Sequence, residues 1–214
     1  MTEAHKNLAL PALQKRGRDR QQSLLDAAEA LIVERGLEGF AMADVAKRAK
    51  AAHGSLYQFF ASRTAILVTL HARHIERLKA ALAGASAMLK AGSARPPPKV
   101  FLEAYLAPLQ AFMEANPAYR ILRLGMPEDW EGAGQEAALD SGVVTELTNM
   151  LAWLAPEAPA ATRNLSAQIL LQVVDTLFVL NTSDDMKAEA TRLLEMYLGD
   201  LAGRYAGGAF GEIA

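Results

Sequence analysis

Apolar residues recur at helical spacing along almost the whole chain. Leu24, Leu25, Ala28, Leu31 and Ile32 follow an i, i+1, i+4, i+7, i+8 pattern, and Gly36 closes that segment. Val45 and Ala46 mark a short second helix, and Leu56 with Phe59 or Phe60 a short third. Leu67, Leu70, His71, His74, Leu78, Ala81, Ala85 and Leu89 share one stripe, which predicts a long helix over 62–90. The run Gly92 to Pro98 reads as a loop, with Pro98 opening a helix that carries Phe101, Tyr105, Leu109, Phe112 and Met113. A short helix then runs to Gly125, where Pro127 stops it. Glu128 to Gln135 reads as an acidic loop. Leu139, Val143, Leu147, Met150, Leu151 and Leu154 define the next helix, and Pro156 and Pro159 punctuate the chain after it. Residues 165–180 are apolar on nearly every side. Thr182, with Asp185 three residues on, reads as a capping box for a last helix that carries Leu194, Leu198 and Leu201 and ends at Gly207-Gly208.

Strand alternation, hairpin turns and internal repeats are missing from the sequence. The expectation is an all-α chain of about nine helices. An N-terminal helix-turn-helix unit of three helices is joined by a long helix to a larger C-terminal bundle. The expected division is a flexible basic arm over 1–17, a DNA-binding domain over 18–62, and a ligand-binding and dimerisation domain over 63–214.

Charge sharpens this picture. The net charge of the 214 residues is −2. Residues 1–79 hold 13 Lys and Arg against 8 Asp and Glu, a balance of +5, whereas residues 80–214 hold 9 against 16, a balance of −7. A basic N-terminal third suits a polyanionic partner. The absence of cysteine excludes disulfides, thiol catalysis and most structural zinc sites. No apolar run is long enough to span a membrane. The polar start (Thr2, Glu3, His5, Lys6) and a short apolar patch broken by Pro11 do not read as a secretory leader, so a cytoplasmic protein is expected.

The closely spaced helices at 42–49 and 53–60 have helix-turn-helix spacing, in which the second helix can enter a DNA major groove. The front of that second helix is small and polar. His53, Ser55, Tyr57 and Gln58 offer hydrogen-bonding groups for bases or phosphates, and Ala52 and Gly54 allow close approach. Lys47, Arg48, Lys50 and Arg63 are candidate phosphate contacts, and Arg16 and Arg18 sit on the basic arm.

Asp44-Val45-Ala46, Ala49, Gly54-Ser55-Leu56-Tyr57, Phe60 and Ser62-Arg63, followed by Ala65 and Leu67, resemble the tetracycline-repressor-like (TetR) family of bacterial transcription regulators. The resemblance implies a homodimer, a palindromic double-stranded operator, and an inducer pocket in the C-terminal domain. Ala41 and Ala52 stand where the family usually has a capping hydroxyl, and Lys50 where it usually has glycine. A lost N-cap costs about 0.5–2 kcal/mol. A left-handed non-glycine residue costs roughly 1–2 kcal/mol.

In the C-terminal half Phe101, Tyr105, Leu109, Phe112, Met113, Met126, Trp130, Leu147 and Met150 offer adaptable apolar surface for a small hydrophobic effector. Pro108 interrupts its helix and leaves the Ala104 carbonyl without the usual donor. Gln168, Gln172 and Asp175 form a polar stripe in an apolar helix, and Gln172 and Asp175 are assigned to the pocket. Ile169, Val173, Thr176, Leu180, Leu194, Leu198 and Leu201 are assigned to a four-helix dimer interface. His71 and His74 have i, i+3 spacing but no third ligand nearby, and are read as packing under the DNA-binding unit. No nucleophile–base set, phosphate loop or cofactor motif is present, so neither an enzyme nor a cofactor is expected. The expected function is a DNA-binding transcription regulator, a repressor released by its effector. The alternative is an all-helical ligand-binding or interaction protein without specific DNA binding.

Overall fold

The computed structural model describes residues 4–91, 95–125, 133–179 and 182–205. Every regular element among them is helical: α1 (Ala4–Arg35), α2 (Met42–Arg48), α3 (His53–Phe59), α4 (Arg63–Ala91), α5 (Pro98–Ala115), α6 (Pro117–Gly125), α7 (Ala133–Leu154), α8 (Ala160–Val179) and α9 (Asp184–Arg204).

Two apolar cores form. One gathers Leu24, Leu25, Ala28, Leu31 and Ile32 of α1 with Phe40, Val45, Leu56 and Phe60. The other joins Ile75, Leu78 and Leu82 of α4 to Phe101, Tyr105, Leu147, Leu151, Leu170 and Leu198. The boundary runs through α4, since its first turns (Ile66, Leu67, Leu70) bury in the first core and its later turns in the second. Helix α6 is also divided: Ala118 and Leu122 enter the N-terminal core while Tyr119 enters the C-terminal one. Gly125 ends α6 so close to the α1–α2 corner that a Cβ there would stand 2.5 Å from Leu37 Cδ1. Helix α4 is therefore not the sole element shared by the two units.

Two expectations are corrected. Residues 4–17 are the first turns of α1 rather than a flexible arm, so Arg16 and Arg18 project, exposed, from a helix. Gln14, Lys15, Arg16 and Arg18 are good helix formers that carry the helix through Gly17. The cap of α9 is Ser183, one residue beyond Thr182. The Ser183 Oγ accepts from the Met186 amide at 3.3 Å, while the Thr182 hydroxyl turns back to the Leu177 carbonyl at 3.1 Å. Helix α9 ends at Arg204, and the expected Gly207-Gly208 stop lies outside the described residues.

Candidate nucleic-acid interface and effector domain

The turn between α2 and α3 is built from backbone bonds. The Ala51 amide reaches the Ala46 carbonyl at 2.9 Å and the Lys50 amide reaches Lys47 at 3.2 Å, the paired bonds of a Schellman motif. That motif needs a left-handed residue, and Lys50 supplies it with φ 50. Both helix starts lack a side-chain cap, as the sequence implies: Ala41 and Ala52 are extended N-caps without a hydrogen-bonding side chain.

Leu56 is fully buried and pins α3 to the core. The opposite face of the helix is thereby fixed outward. His53, Gly54, Tyr57 and Gln58 are all exposed on it, with the His53 and Tyr57 rings 5.1 Å apart. Ser55 stands off this face, half-buried, and Ala52 is exposed at its head. Lys47 and Lys50 are exposed beside it.

Two of the expected phosphate contacts are engaged elsewhere. Arg48 makes a bidentate pair with Glu34, with both distances 2.6 Å. The hydrogen bond raises the Arg48 pKa and lowers that of Glu34. Arg63 donates to the Leu37 carbonyl and lies 5.0 Å above the Phe40 ring. The reason is proximity. Folding brings the α1 carboxylates and the carbonyls of the α1–α2 corner within reach of these guanidinium forks before any phosphate arrives.

The junction of the two units is ionic on one side and aromatic on the other. Arg73 binds Gln22 at 3.1 Å, Asp26 at 2.6 Å, and Glu29. Glu29 also lies 3.4 Å from His74 Nε2 and 3.8 Å from Arg77. His71 stacks on Tyr119 at 6.0 Å, and His74 meets Tyr119 and Phe112 edge-on. The two histidines thus pack beneath the N-terminal unit. Burial, then the charges of Arg77 and Arg73 and finally His71, lower the His74 pKa to about 4.

The expected effector pocket is largely filled. Phe101, Tyr105, Leu109, Leu147 and Met150 are buried together in the packed core, and Met113 is half-buried against it. The Tyr105 hydroxyl has no hydrogen-bond partner among the described residues; burial, and then the Asp175 charge, raises its pKa. Asp175 pairs with Arg123 of α6 at 2.9 Å, a residue the sequence pattern does not point to because it lies 52 positions away. Gln172 is exposed rather than lining a cavity. Met126 and Trp130 lie outside the described residues. The open space is instead a groove of about 810 Å³ between α4 and α5. Ala81, Gly84, Ala85, Met88 and Leu89 form one wall, and Val100, Ala104, Ala107, Pro108, Ala111 and Phe112 the other. Phe112 is the member common to both sets. The shift reflects side-chain size: large residues close the space they face, and small ones leave it open.

The expected interface face of α9 is also corrected. Leu194, Leu198 and Leu201 are buried in their own core, whereas Met186, Leu193 and Met196 are exposed. On α8, Ile169 and Thr176 are exposed together with Leu165, and Val173 is half-buried. Leu180 lies outside the described residues.

A helix-turn-helix head and a second helical body share two helices, α4 and α6. Residues 24–70 match the family profile described as bacterial regulatory proteins, tetR family, and residues 97–198 match the tetracyclin repressor-like C-terminal domain. The chain belongs to the TetR family. It is 40% identical over 72 residues to the HTH-type transcriptional repressor KstR of Mycolicibacterium smegmatis, covering 31% of this chain and 35% of that protein. It is 41% identical over 61 residues to KstR of Rhodococcus jostii, covering 28% of this chain and 29% of that one. The chain thus spans about a third of the length of the curated relatives it matches. Among solved structures, it is similar in fold to a TetR-family transcriptional regulator from Streptomyces coelicolor (TM-score 0.63, 21% identity, 85% of this chain and 99% of that one). It is likewise similar to the transcriptional regulator FadR of Bacillus subtilis in complex with stearoyl-CoA (TM-score 0.63, 16% identity, 88% and 99%).

Proposed function

We propose that this TetR-family protein is a transcription regulator. It binds a palindromic DNA operator as a homodimer and acts as a repressor that a small apolar effector releases. The observation that carries the reading is the outward face of α3, where His53, Gly54, Tyr57 and Gln58 stand clear of the core beside Lys47 and Lys50. Base edges meet the first four and phosphates meet the lysines, with Arg16 and Arg18 adding charge along α1. Leu165 and Ile169 of α8, with Leu193 and Met196 of α9, supply exposed apolar surface for a symmetric partner. Two half-sites on DNA call for such a dimer. No helix among the described residues is long and apolar enough to cross a membrane. A cytoplasmic, non-enzymatic protein fits the regulator reading.

The test is binding to DNA from the protein's own upstream region across a salt series. Lys47→Ala and Lys50→Ala should each weaken binding to every duplex and flatten the salt slope by about one unit. Arg48→Ala should change the slope less, because Glu34 already neutralises it. Tyr57→Ala should alter sequence preference. If none of these variants changes affinity for any duplex, the chain is a ligand-binding or interaction protein instead.

A further inference from the structure

The groove between α4 and α5 is an apolar surface open to water. Among the described residues its walls carry no charged or hydrogen-bonding side chain, and Ala81, Gly84, Ala104 and Ala107 leave room between them. It runs along α5 from Val100 to Phe112, about 18 Å of helix. Where α4 finishes and α5 begins, Met88 is 79% exposed and Val100 45%. An exposed apolar trough of this kind marks a contact site.

The last described helix ends beside the segment that leads into this groove. Arg95 donates to the Tyr205 carbonyl at 3.5 Å and, through Nε, to the Leu154 carbonyl. It stands three residues before Pro98 opens α5 and five before Val100. Beyond Tyr205 the sequence continues for nine residues, Ala206-Gly207-Gly208-Ala209-Phe210-Gly211-Glu212-Ile213-Ala214. Nine extended residues reach about 30 Å. Phe210 and Ile213 are the two large apolar members, and all the others except Glu212 are glycine or alanine. Small residues on both partners let a backbone lie close to the groove, and Gly207-Gly208 gives the chain freedom to turn back. The charges also match. Lys90 adjoins Leu89 and Lys99 adjoins Val100; both are exposed and neither has an ion-pair partner among the described residues, whereas Glu212 lies between Phe210 and Ile213.

We propose that the chain covers its own groove: residues 206–214 turn back over the start of α5, seat Phe210 and Ile213 between α4 and α5, and bring Glu212 beside Lys90 and Lys99. Docking removes the apolar surface of both partners from water together. The inference stands apart from the regulator reading, since it needs neither DNA nor a small molecule.

The chain has no cysteine, so one introduced pair is unambiguous. In the full-length protein under mild oxidant, Gly211→Cys with Ala104→Cys should close a disulfide within one chain. It should do so about tenfold faster, or more, than Gly211→Cys with Glu103→Cys, because docking raises the local concentration at one face of α5 only. Ala104 lines the groove, whereas its neighbour Glu103 is exposed and outside the lining, so the two pairs bridge nearly the same length of chain. Both pairs leave Phe210 and Ile213 in place. Gly84→Leu should bring the fast pair down to the control rate. A Cβ at Gly84 meets nothing within 4 Å, so the added side chain enters the groove and not the core. Ala107→Leu narrows the trough from the opposite wall and serves if the first variant does not fold. A second readout is an apolar dye, anilinonaphthalene sulfonate. Phe210→Ser with Ile213→Ser should raise its binding several-fold, and Gly84→Leu in that background should remove the gain. Equal closure rates for the two cysteine pairs, or dye binding untouched by the serine changes, overturns the proposal. So does a disulfide that forms between chains and not within one, which would make the groove an interface between copies. Each failure leaves the DNA reading standing.

Discussion

In the N-terminal unit, arginines tie the helices together: Arg48 joins α2 to α1 through Glu34 at the surface, and the largely buried Arg73 joins α4 to α1 through Asp26 and Glu29. In the C-terminal body, rings and aliphatic chains do the joining, with Phe101, Tyr105, Phe112 and Tyr119 buried together. The one ion pair described between α6 and α8 there is Arg123–Asp175. The two regions should therefore respond to different insults. Ion-paired contacts feel salt and pH, whereas packed apolar contacts feel missing volume.

Paired substitutions sharpen this contrast most. The Arg73 side chain is 11% exposed and that of Glu29 20%. Arg73→Ala leaves Glu29 with only the distant Arg77 and a neutral His74, and should cost about 3 kcal/mol. Leu147→Ala, in the fully buried body, should cost about 2–5 kcal/mol. Urea unfolding separates the two. Near 1 M salt, where the screening length falls to about 3 Å, the smaller deficit of Arg48→Ala, whose pair with Glu34 is exposed, should shrink. The Leu147→Ala deficit should persist. Equal salt dependence would erase the proposed difference between the regions.

The junction adds a pH dependence. The His74 pKa falls from about 6.5 unfolded to about 4 folded. Above pH 6.5 both states are neutral there and the group contributes no slope. As pH falls below 6.5 the unfolded chain takes up the proton first, so stability drops until pH reaches about 4. Between pH 7 and pH 5 the loss should be about 2 kcal/mol. His74→Leu should remove most of that slope in urea midpoints measured at the two pH values. An unchanged slope would place the acid sensitivity in groups other than His74.

Helix spacing carried the architecture in the sequence because every helix presents a repeating apolar stripe, and α4, α5 and α6 lie within a residue or so of their expected limits. The outward face of α3 was legible for the same reason, since burying Leu56 fixes where His53 and Tyr57 point. What local patterning does not carry is a partner far along the chain. Arg48 and Arg63 read as phosphate contacts because Glu34 and Leu37 are brought to them only by folding. The C-terminal body shows the same limit. Large aromatics drew attention to themselves, yet close packing removed the space around them, and alanines and Gly84 framed the groove. Leu194, Leu198 and Leu201 were legible as one face of α9, but nothing local says that this face turns toward its own core.

The smallest expected effect tests the aromatic body at a buried hydroxyl. Tyr105 is 1% exposed and its hydroxyl has no partner among the described residues. A buried hydroxyl without a hydrogen bond loses its hydration and regains nothing, a deficit of about 1–3 kcal/mol where solvent cannot reach. Tyr105→Phe removes the oxygen and keeps the ring, so the contacts with the surrounding core remain. The variant should be as stable as the parent or more stable by about 1 kcal/mol, in contrast to the loss expected when Arg73 is truncated. A raised urea midpoint with an unchanged m-value would mark the hydroxyl as a burden on the free protein, one that a ligand's polar group could relieve. A destabilisation of about 1 kcal/mol or more would mean that the hydroxyl is satisfied in solution, with the Arg123–Asp175 pair the nearest candidate to provide the partner.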